Sequence, residues 1–197
     1  MRSLLVFAAL AFAFTRSPIT VAQDTCDRQY VVLQVSLPTT TKLTPSEQAK
    51  IGAQVIGRCF DEQQLGELAG RVRDTLQTLG YFRAIVSDPT ITVGDVGRHP
   101  TPVSLGFVVI EGSRYKVREI NWLGIKALTL EQIVSISQIR PEDTLDTSKV
   151  QETVEALRRL YSASGYPAAS IVPDYRVHEV GHWVAVDFRV VEIAQSP

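Results

Sequence analysis

Cysteine occurs only twice in these 197 residues, tryptophan twice, methionine once and histidine three times. Cys26 and Cys59 lack the C-x-x-C spacing, which excludes a thioredoxin-type motif, a zinc ribbon and a disulfide-dense scaffold. Three histidines leave few ways to assemble a metal centre. Neither sign of charge dominates, with 20 Lys and Arg against 21 Asp and Glu. No basic stripe stands out, and nucleic acid is therefore not expected as a partner. Beyond the N-terminus no stretch approaches the 18 apolar residues of a membrane-spanning helix, so the processed chain is expected to be soluble.

What is present begins with a leader. Arg2 supplies a positive start, residues 4–14 form an unbroken apolar run of 11, and Thr20-Val21-Ala22 offers small residues before Gln23. This pattern predicts a secretory signal peptide over 1–22. The run is too short for an uncleaved anchor, and Cys26 lies too far along, with no lipobox, for a lipoprotein. Removing 1–22 takes away Arg2 and Arg16, leaving 18 basic and 21 acidic residues, a net charge of −3. In an oxidising compartment Cys26 and Cys59 are expected to bridge, two separate thiols being the alternative. The closed loop of about 33 residues would contribute on the order of 3 kcal/mol.

The rest of the chain reads as one unit written twice. The stretch LGYFRAIV (79–86) echoes SGYPAASIV (164–172), with Gly80 and Gly165 lying 85 positions apart. Downstream, FVVIEG (107–112) echoes FRVVEI (188–193), offset by 81. Two echoes at nearly one spacing imply a duplicated module of roughly 80 residues. In the first copy, β-branched residues over 30–37 predict a strand. Thr44-Pro45-Ser46-Glu47 is a capping box that starts a short helix running to about Gly57. Asp61 starts a longer helix whose face is Leu65, Leu68, Ala69, Val72, Leu76 and Leu79, with Gly80 as its C-cap. Strands over 83–93 and 103–111 complete the copy. In the second copy a strand over 115–124 is followed by a helix from Thr129 through Ile139. A longer helix then starts at Asp146 or Thr147, carries Val150, Val154, Leu157, Leu160 and Tyr161 on one face, and ends at Gly165. Strands over 170–178 and 182–193 close it. The expected fold is α+β: two tandem β-α-α-β-β domains, each a three-stranded mixed sheet with two helices on one face. The boundaries are 1–22 for the leader, 23–112 for the first domain and 113–197 for the second. So short a linker predicts a restricted angle between them.

One stretch has the spelling of a catalytic site. His178-Glu179-Val180-Gly181-His182 matches the H-E-x-x-H of zinc hydrolases, which needs both histidines one turn apart on a helix. Here it falls between two strand patterns, with Gly181 where a hairpin turn needs a permissive residue. Two exposed turn histidines are expected, not a metal site. No nucleophile, phosphate cradle or cofactor motif appears elsewhere, so no catalysis, cofactor or small-molecule substrate is expected.

The junction FVVIEGSRYKVREINWLG (107–124) and the run LDTSKVQETVEALRRLYSASGYPAASI (145–171) resemble consecutive POTRA domains. These are the polypeptide-transport-associated modules of outer-membrane barrel-assembly and two-partner secretion proteins. The resemblance covers the chain after its leader and is stronger in 113–193. It departs from the family in that no barrel follows Ile193-Ala194-Gln195-Ser196-Pro197 in this sequence. It implies a non-catalytic periplasmic scaffold that assists outer-membrane protein assembly or secretion. Its partner would be an outer-membrane β-barrel protein or an unfolded client polypeptide, with peripheral association to the outer membrane through that partner. The alternative is a detached spacer or accessory subunit docking on a separately encoded barrel.

The resemblance also implies partner contacts along the second strand of each unit, about 83–93 and 170–178. Pro89 and Pro173 fall in these stretches, as edge-protecting prolines do. An extended partner strand would pair along Ala84, Ile85 and Val86, along Ile91, Thr92 and Val93, or along Tyr175, Arg176 and Val177. Trp122 is expected to be buried where the two units meet, with a partner contact as the alternative.

Overall fold

A computed structural model describes residues 30–193. The expected leader, the cleavage point and Cys26 lie outside them. The first unit contains β1 (Tyr30–Ser36), α1 (Pro45–Gly52), α2 (Glu62–Thr78), β2 (Ile85–Val86), β3 (Thr90–Val93), β4 (Thr101–Gly106) and β5 (Val109–Ile110). The second contains β6 (Lys116–Leu123), α3 (Leu130–Ile136), α4 (Thr147–Ala163), β7 (Ser170–His178) and β8 (Trp183–Val191). Each has a three-stranded mixed sheet, in the orders β1-β4-β3 and β6-β8-β7, whose central strand is parallel to one neighbour and antiparallel to the other. Each also has its own apolar core, around Val72, Leu76 and Leu105 in the first unit and Leu157, Val186 and Phe188 in the second. The helices cover one face of each sheet, and the fold is the α+β tandem expected from the sequence.

The same local devices recur in both units. Thr44 with Glu47 and Thr129 with Gln132 form complete capping boxes on α1 and α3. Asp61 and Asp146 cap α2 and α4 by accepting from Gln63 N–H and Ser148 N–H. A bulge interrupts β1 between Val32 and Gln34, and another interrupts β6 between Val117 and Glu119. The first half of each outer edge is covered by the chain itself. Gly57 N–H donates to Val32 O at 2.8 Å, and Glu142 N–H to Val117 O at 2.7 Å. The acid in each downstream echo also has one role. Glu111 accepts from Lys42 N–H at 3.1 Å, and Glu192 accepts from Lys126 and Ala127 N–H at 2.7 and 2.9 Å. Each carboxylate ties the loop before the first helix to the end of the last strand. Burial alone would raise the Glu192 carboxyl, but these donors and the Tyr161 hydroxyl hold it below its ordinary value.

Several boundaries differ from the sequence reading. α1 stops at Gly52 and not near Gly57, because residues 53–58 leave the helix to reach the edge of β1. α3 stops at Ile136 and not at Ile139, for the same reason. The strand expected over 83–93 breaks into β2 and β3, and that over 103–111 into β4 and β5. β2 pairs with β5 as a separate two-stranded ribbon, Ile85 opposite Ile110 and Val86 opposite Val109.

The two units meet through the turn that ends α2. Gly80 has φ 94°, a left-handed conformation that closes the helix: Tyr81 N–H returns to Leu76 O at 3.0 Å and Gly80 N–H to Gln77 O at 3.2 Å. The carbonyls this turn leaves over are taken by the second unit. Tyr115 N–H donates to Gly80 O and Arg114 Nε to Leu79 O, both at 2.8 Å. Phe82 packs on the core of the second unit, its ring 4.8 Å from that of Tyr175. Arg83 reaches Glu179 at 3.1 Å, and the buried Tyr115 donates its hydroxyl to the same carboxylate. That hydrogen bond, with burial, raises the Tyr115 phenol above its ordinary value. The Arg83–Glu179 pair is more than half exposed on both sides, so it contributes no more than about 1 kcal/mol. The hydrogen bonds to the Leu79 and Gly80 carbonyls and the packing of Phe82 outweigh it.

Gly80 and Gly165 test this account. A Cβ on Gly80 would stand 2.5 Å from Thr144 Cγ2 and 2.9 Å from Arg114 Cγ, whereas one on Gly165 (φ 91°) would meet nothing within 4 Å. Gly165→Ala is expected to cost about 1–2 kcal/mol, the backbone penalty alone. Gly80→Ala is expected to cost about 2–4 kcal/mol, read from urea unfolding midpoints. Equal losses would contradict the docking role of this turn.

Candidate functional site

The H-E-x-x-H stretch is a turn, not a helix. His178 ends β7, and residues 179–182 form the hairpin that leads to Trp183 and β8. The histidine side chains are engaged separately. His178 stacks on its cross-strand partner Trp183 at 3.5 Å, and His182 sits edge-on to Tyr115 at 5.8 Å. Glu179 is turned to Arg83 and Tyr115 at the junction. The left-handed residue of this turn is His182, with φ 48°, not Gly181. Glycine is needed at 181 because a Cβ there would stand 2.5 Å from the Trp183 indole. Among the described residues no group of three or more His, Cys, Asp or Glu could hold a metal ion.

The three candidate strand segments fall in unlike places. Ala84 is buried at 6% exposure and belongs to no strand, and Ile85 and Val86 are already paired with β5. They do not form a free edge of the three-stranded sheet, because β2 lies in the separate ribbon with β5 and the chain joins that sheet at β3. Ile91, Thr92 and Val93 lie on β3, which among the described residues pairs only with β4 and is an edge. Ile91 and Val93 stand opposite Leu105 and Val103, on the core face, yet are 41% and 49% exposed. The helical layer does not reach over them. Pro89 precedes β3 and is buried, so it does not blunt this edge.

Tyr175, Arg176 and Val177 lie on β7, also an edge, but a modified one. Pro173 sits inside the strand opposite Phe188 and has no N–H. Tyr175, two residues on and of the same parity, gives its N–H to Asp174 Oδ1 at 2.9 Å. The Tyr175 ring is occupied by Phe82, and burial raises its phenol. Charged side chains fill the helix-free face of the same sheet. Asp187, 6% exposed in the centre, accepts from Arg176 Nε at 2.8 Å and from Asn121 at 2.7 Å. Arg189 reaches Asp174 at 2.6 Å. The Arg176 hydrogen bonds, then that of Asn121, hold the Asp187 carboxyl below its ordinary value against the effect of burial. Proline, a self-bonded amide and charge are the features that keep edges from pairing.

Trp122 does not lie between the units. It stacks on Phe188 within the second unit, centroids 4.5 Å apart and rings 14° from parallel, because the bulge after Val117 turns Ile120 and Trp122 onto the helix face. It floors an open groove beside α3 that sequence reasoning missed. The interface role expected of it belongs to Phe82, whose counterpart in the second echo is Pro167. That difference within the repeat was the available signal. The main chain at Cys59 pairs antiparallel with that at Val31 beside β1, while Cys26 lies outside the described residues. No helix among the described residues is long and apolar enough to cross a membrane.

The architecture is two small sheets with one exposed face each, joined by a fitted turn. The POTRA family model, described as a surface antigen variable number repeat, matches residues 115–193. That match spans nearly all of the described part of the second unit, which is similar to the POTRA family in sequence. The fold over both units is similar to that of Haemophilus influenzae BamA POTRA3-5, at TM-score 0.63 and 16% identity, covering 82% of this chain and 66% of that one. It is also similar to BamA from Haemophilus ducreyi lacking POTRA domains 1-3, at TM-score 0.64 and 18% identity, covering 83% of this chain and 29% of that one. The chain thus spans just under two thirds of the first structure and under a third of the second. No curated protein matches the chain in sequence. The described residues form two small sheets and a ribbon, and no barrel.

The charged face gives a pH signature. Asp187 has its folded pKa depressed, so its contribution is present above the ordinary carboxylate range and is lost as pH falls through the folded value. Stability of the wild type is expected to fall as pH drops below about 4, and to fall less steeply in Asp187→Asn. The check is urea unfolding at pH 7 and pH 3. Parallel pH profiles for the two proteins would contradict the role of Asp187.

Proposed function

We propose that this chain is a periplasmic polypeptide-binding scaffold that assists assembly or secretion of outer-membrane proteins. It takes an extended segment of an unfolded client or of a barrel partner as an added strand. The leader pattern over 1–22 and the POTRA similarity of the second unit support an exported location, peripheral to the outer membrane. The proposed division is a first domain over 23–112 and a second over 113–197. The separate cores and the turn at Gly112 (φ 70°) support it.

The observation that carries the binding mode is the state of β3. It is an uncharged edge strand, Thr-Ile-Thr-Val, with two apolar side chains on the core face that no helix covers. A strand added there would bond to the open main-chain edge and extend the apolar face that Ile91 and Val93 leave bare. Main-chain pairing is tolerant of sequence, which suits transient handling of many clients. β7 lacks these properties, so of the candidate segments Ile91, Thr92 and Val93 are assigned the role. Tyr175, Arg176 and Val177 form a guarded edge.

A photo-crosslinking residue placed at Ile91, and in a separate chain at Val177, tests the assignment in cells. Capture of several outer-membrane or secreted polypeptides at position 91, with little at 177, is the expected outcome. A single barrel protein at either position would make the chain an accessory subunit. Equal capture at both, or none at 91, would overturn the assignment to β3.

A further inference from the structure

The second unit has an opening where the first has closed itself. Between α3 and β6 lies a groove of about 450 Å³, floored by Ile120 and Trp122. Its wall is Leu130 and Val134, one helical turn apart on α3 and 62% and 57% exposed. In the first unit Ile56, itself 45% exposed, lies over this place, its Cδ1 3.1 Å from where a Cβ on Gly52 would stand and Val35 alongside. The repeat equates Ile56 with Pro141. Each precedes a residue of positive φ, Gly57 at 79° and Glu142 at 71°, that donates its N–H to the first strand. The same alignment equates Val35 with Ile120 and Gly52 with Ser137. The second unit therefore keeps the apolar socket and lacks the branched side chain that lies over it.

Two further features bear on what would fill the socket. The chain covers the outer edge of β6 only as far as Val117, and among the described residues nothing pairs with that edge over 120–123. Arg140 is the one charged residue lining the groove and its guanidinium makes no ion pair among the described residues, the nearby Asp143 carboxylate being engaged by the Arg140 main-chain N–H at 2.9 Å. An open edge, a socket with an aromatic floor and a lone guanidinium are three complementary demands on one ligand.

We propose that this groove binds an extended polypeptide segment bearing a bulky apolar side chain next to a carboxylate. The apolar side chain occupies the place that Ile56 lies over in the first unit, against Trp122. The carboxylate meets Arg140, and the backbone runs along the free part of β6. This site is separate from β3 and stands whether or not β3 takes a strand.

The test is an amide NMR titration of the labelled chain with the synthetic peptide acetyl-Thr-Val-Thr-Phe-Asp-Thr-amide and its Lys-for-Asp counterpart. Shifts are expected at residues 120–123 and along α3. The Asp peptide should bind at least about threefold more tightly, an advantage that Arg140→Gln removes. Val134→Asp, a change at an exposed position, should weaken binding at least about tenfold while leaving any shifts at Ile91 intact. Failure of the β3 reading alone would show as shifts in the groove and none at Ile91. No shift at 120–123 at millimolar peptide, or unchanged binding in Val134→Asp, would overturn the proposal. So would concentration-dependent shifts there without peptide, which would give the groove to a second copy of this chain.

Discussion

The arrangement of the whole molecule depends on one turn. Gly80 closes α2 in a left-handed conformation, and the carbonyls left at that helix end become acceptors for Arg114 and Tyr115. A helix must satisfy its last carbonyls somewhere, and here the partner is the start of the next domain. Because the acceptors are main-chain atoms, position and direction are set together. Phe82 then enters the second core and Arg83 finds Glu179. The exposed ion pair orients more than it stabilises. The histidine turn, which has the letters of a metal site, is used for this contact through Glu179.

A fixed junction gives the remaining surfaces their meaning. With β7 guarded by Pro173, by the Asp174–Tyr175 contact and by the charged network around Asp187, the β7 edge of the second sheet is protected from added strands. The first sheet leaves β3 bare, and the second unit leaves the α3–β6 groove bare. The two units share a fold and have diverged in which surface they leave open. A change such as Ile56 to Pro141 costs little core packing in the second unit, because Ile133, Ile139 and Leu145 remain buried there.

Much of this fold was legible in the sequence. Capping boxes at Thr44 and Thr129, glycines after α2 and α4, and period-two strands such as 182–193 are local signals, and they place the elements correctly. The paired carboxylates Glu111 and Glu192 were visible as an echo, though not their role in tying loops. What failed was non-local. Nothing local shows that β2 leaves the sheet to pair with β5, or that residues after α1 and α3 turn back along the first strand. Trp122 was misplaced because a one-residue bulge decides which face a side chain occupies. The edges were legible as candidates, but telling β3 from β7 needed the helical layer and the hydrogen bond at Tyr175.

The central claim is that the Gly80 turn holds the two units in one relative orientation, presenting β3 and the groove as fixed surfaces. Spin labels at the exposed positions Ser46 and Glu155, one on each unit, would report this through their distance distribution. A single narrow distribution that broadens in Phe82→Ala is the predicted result. A broad or multiple distribution in the unaltered chain would contradict the claim.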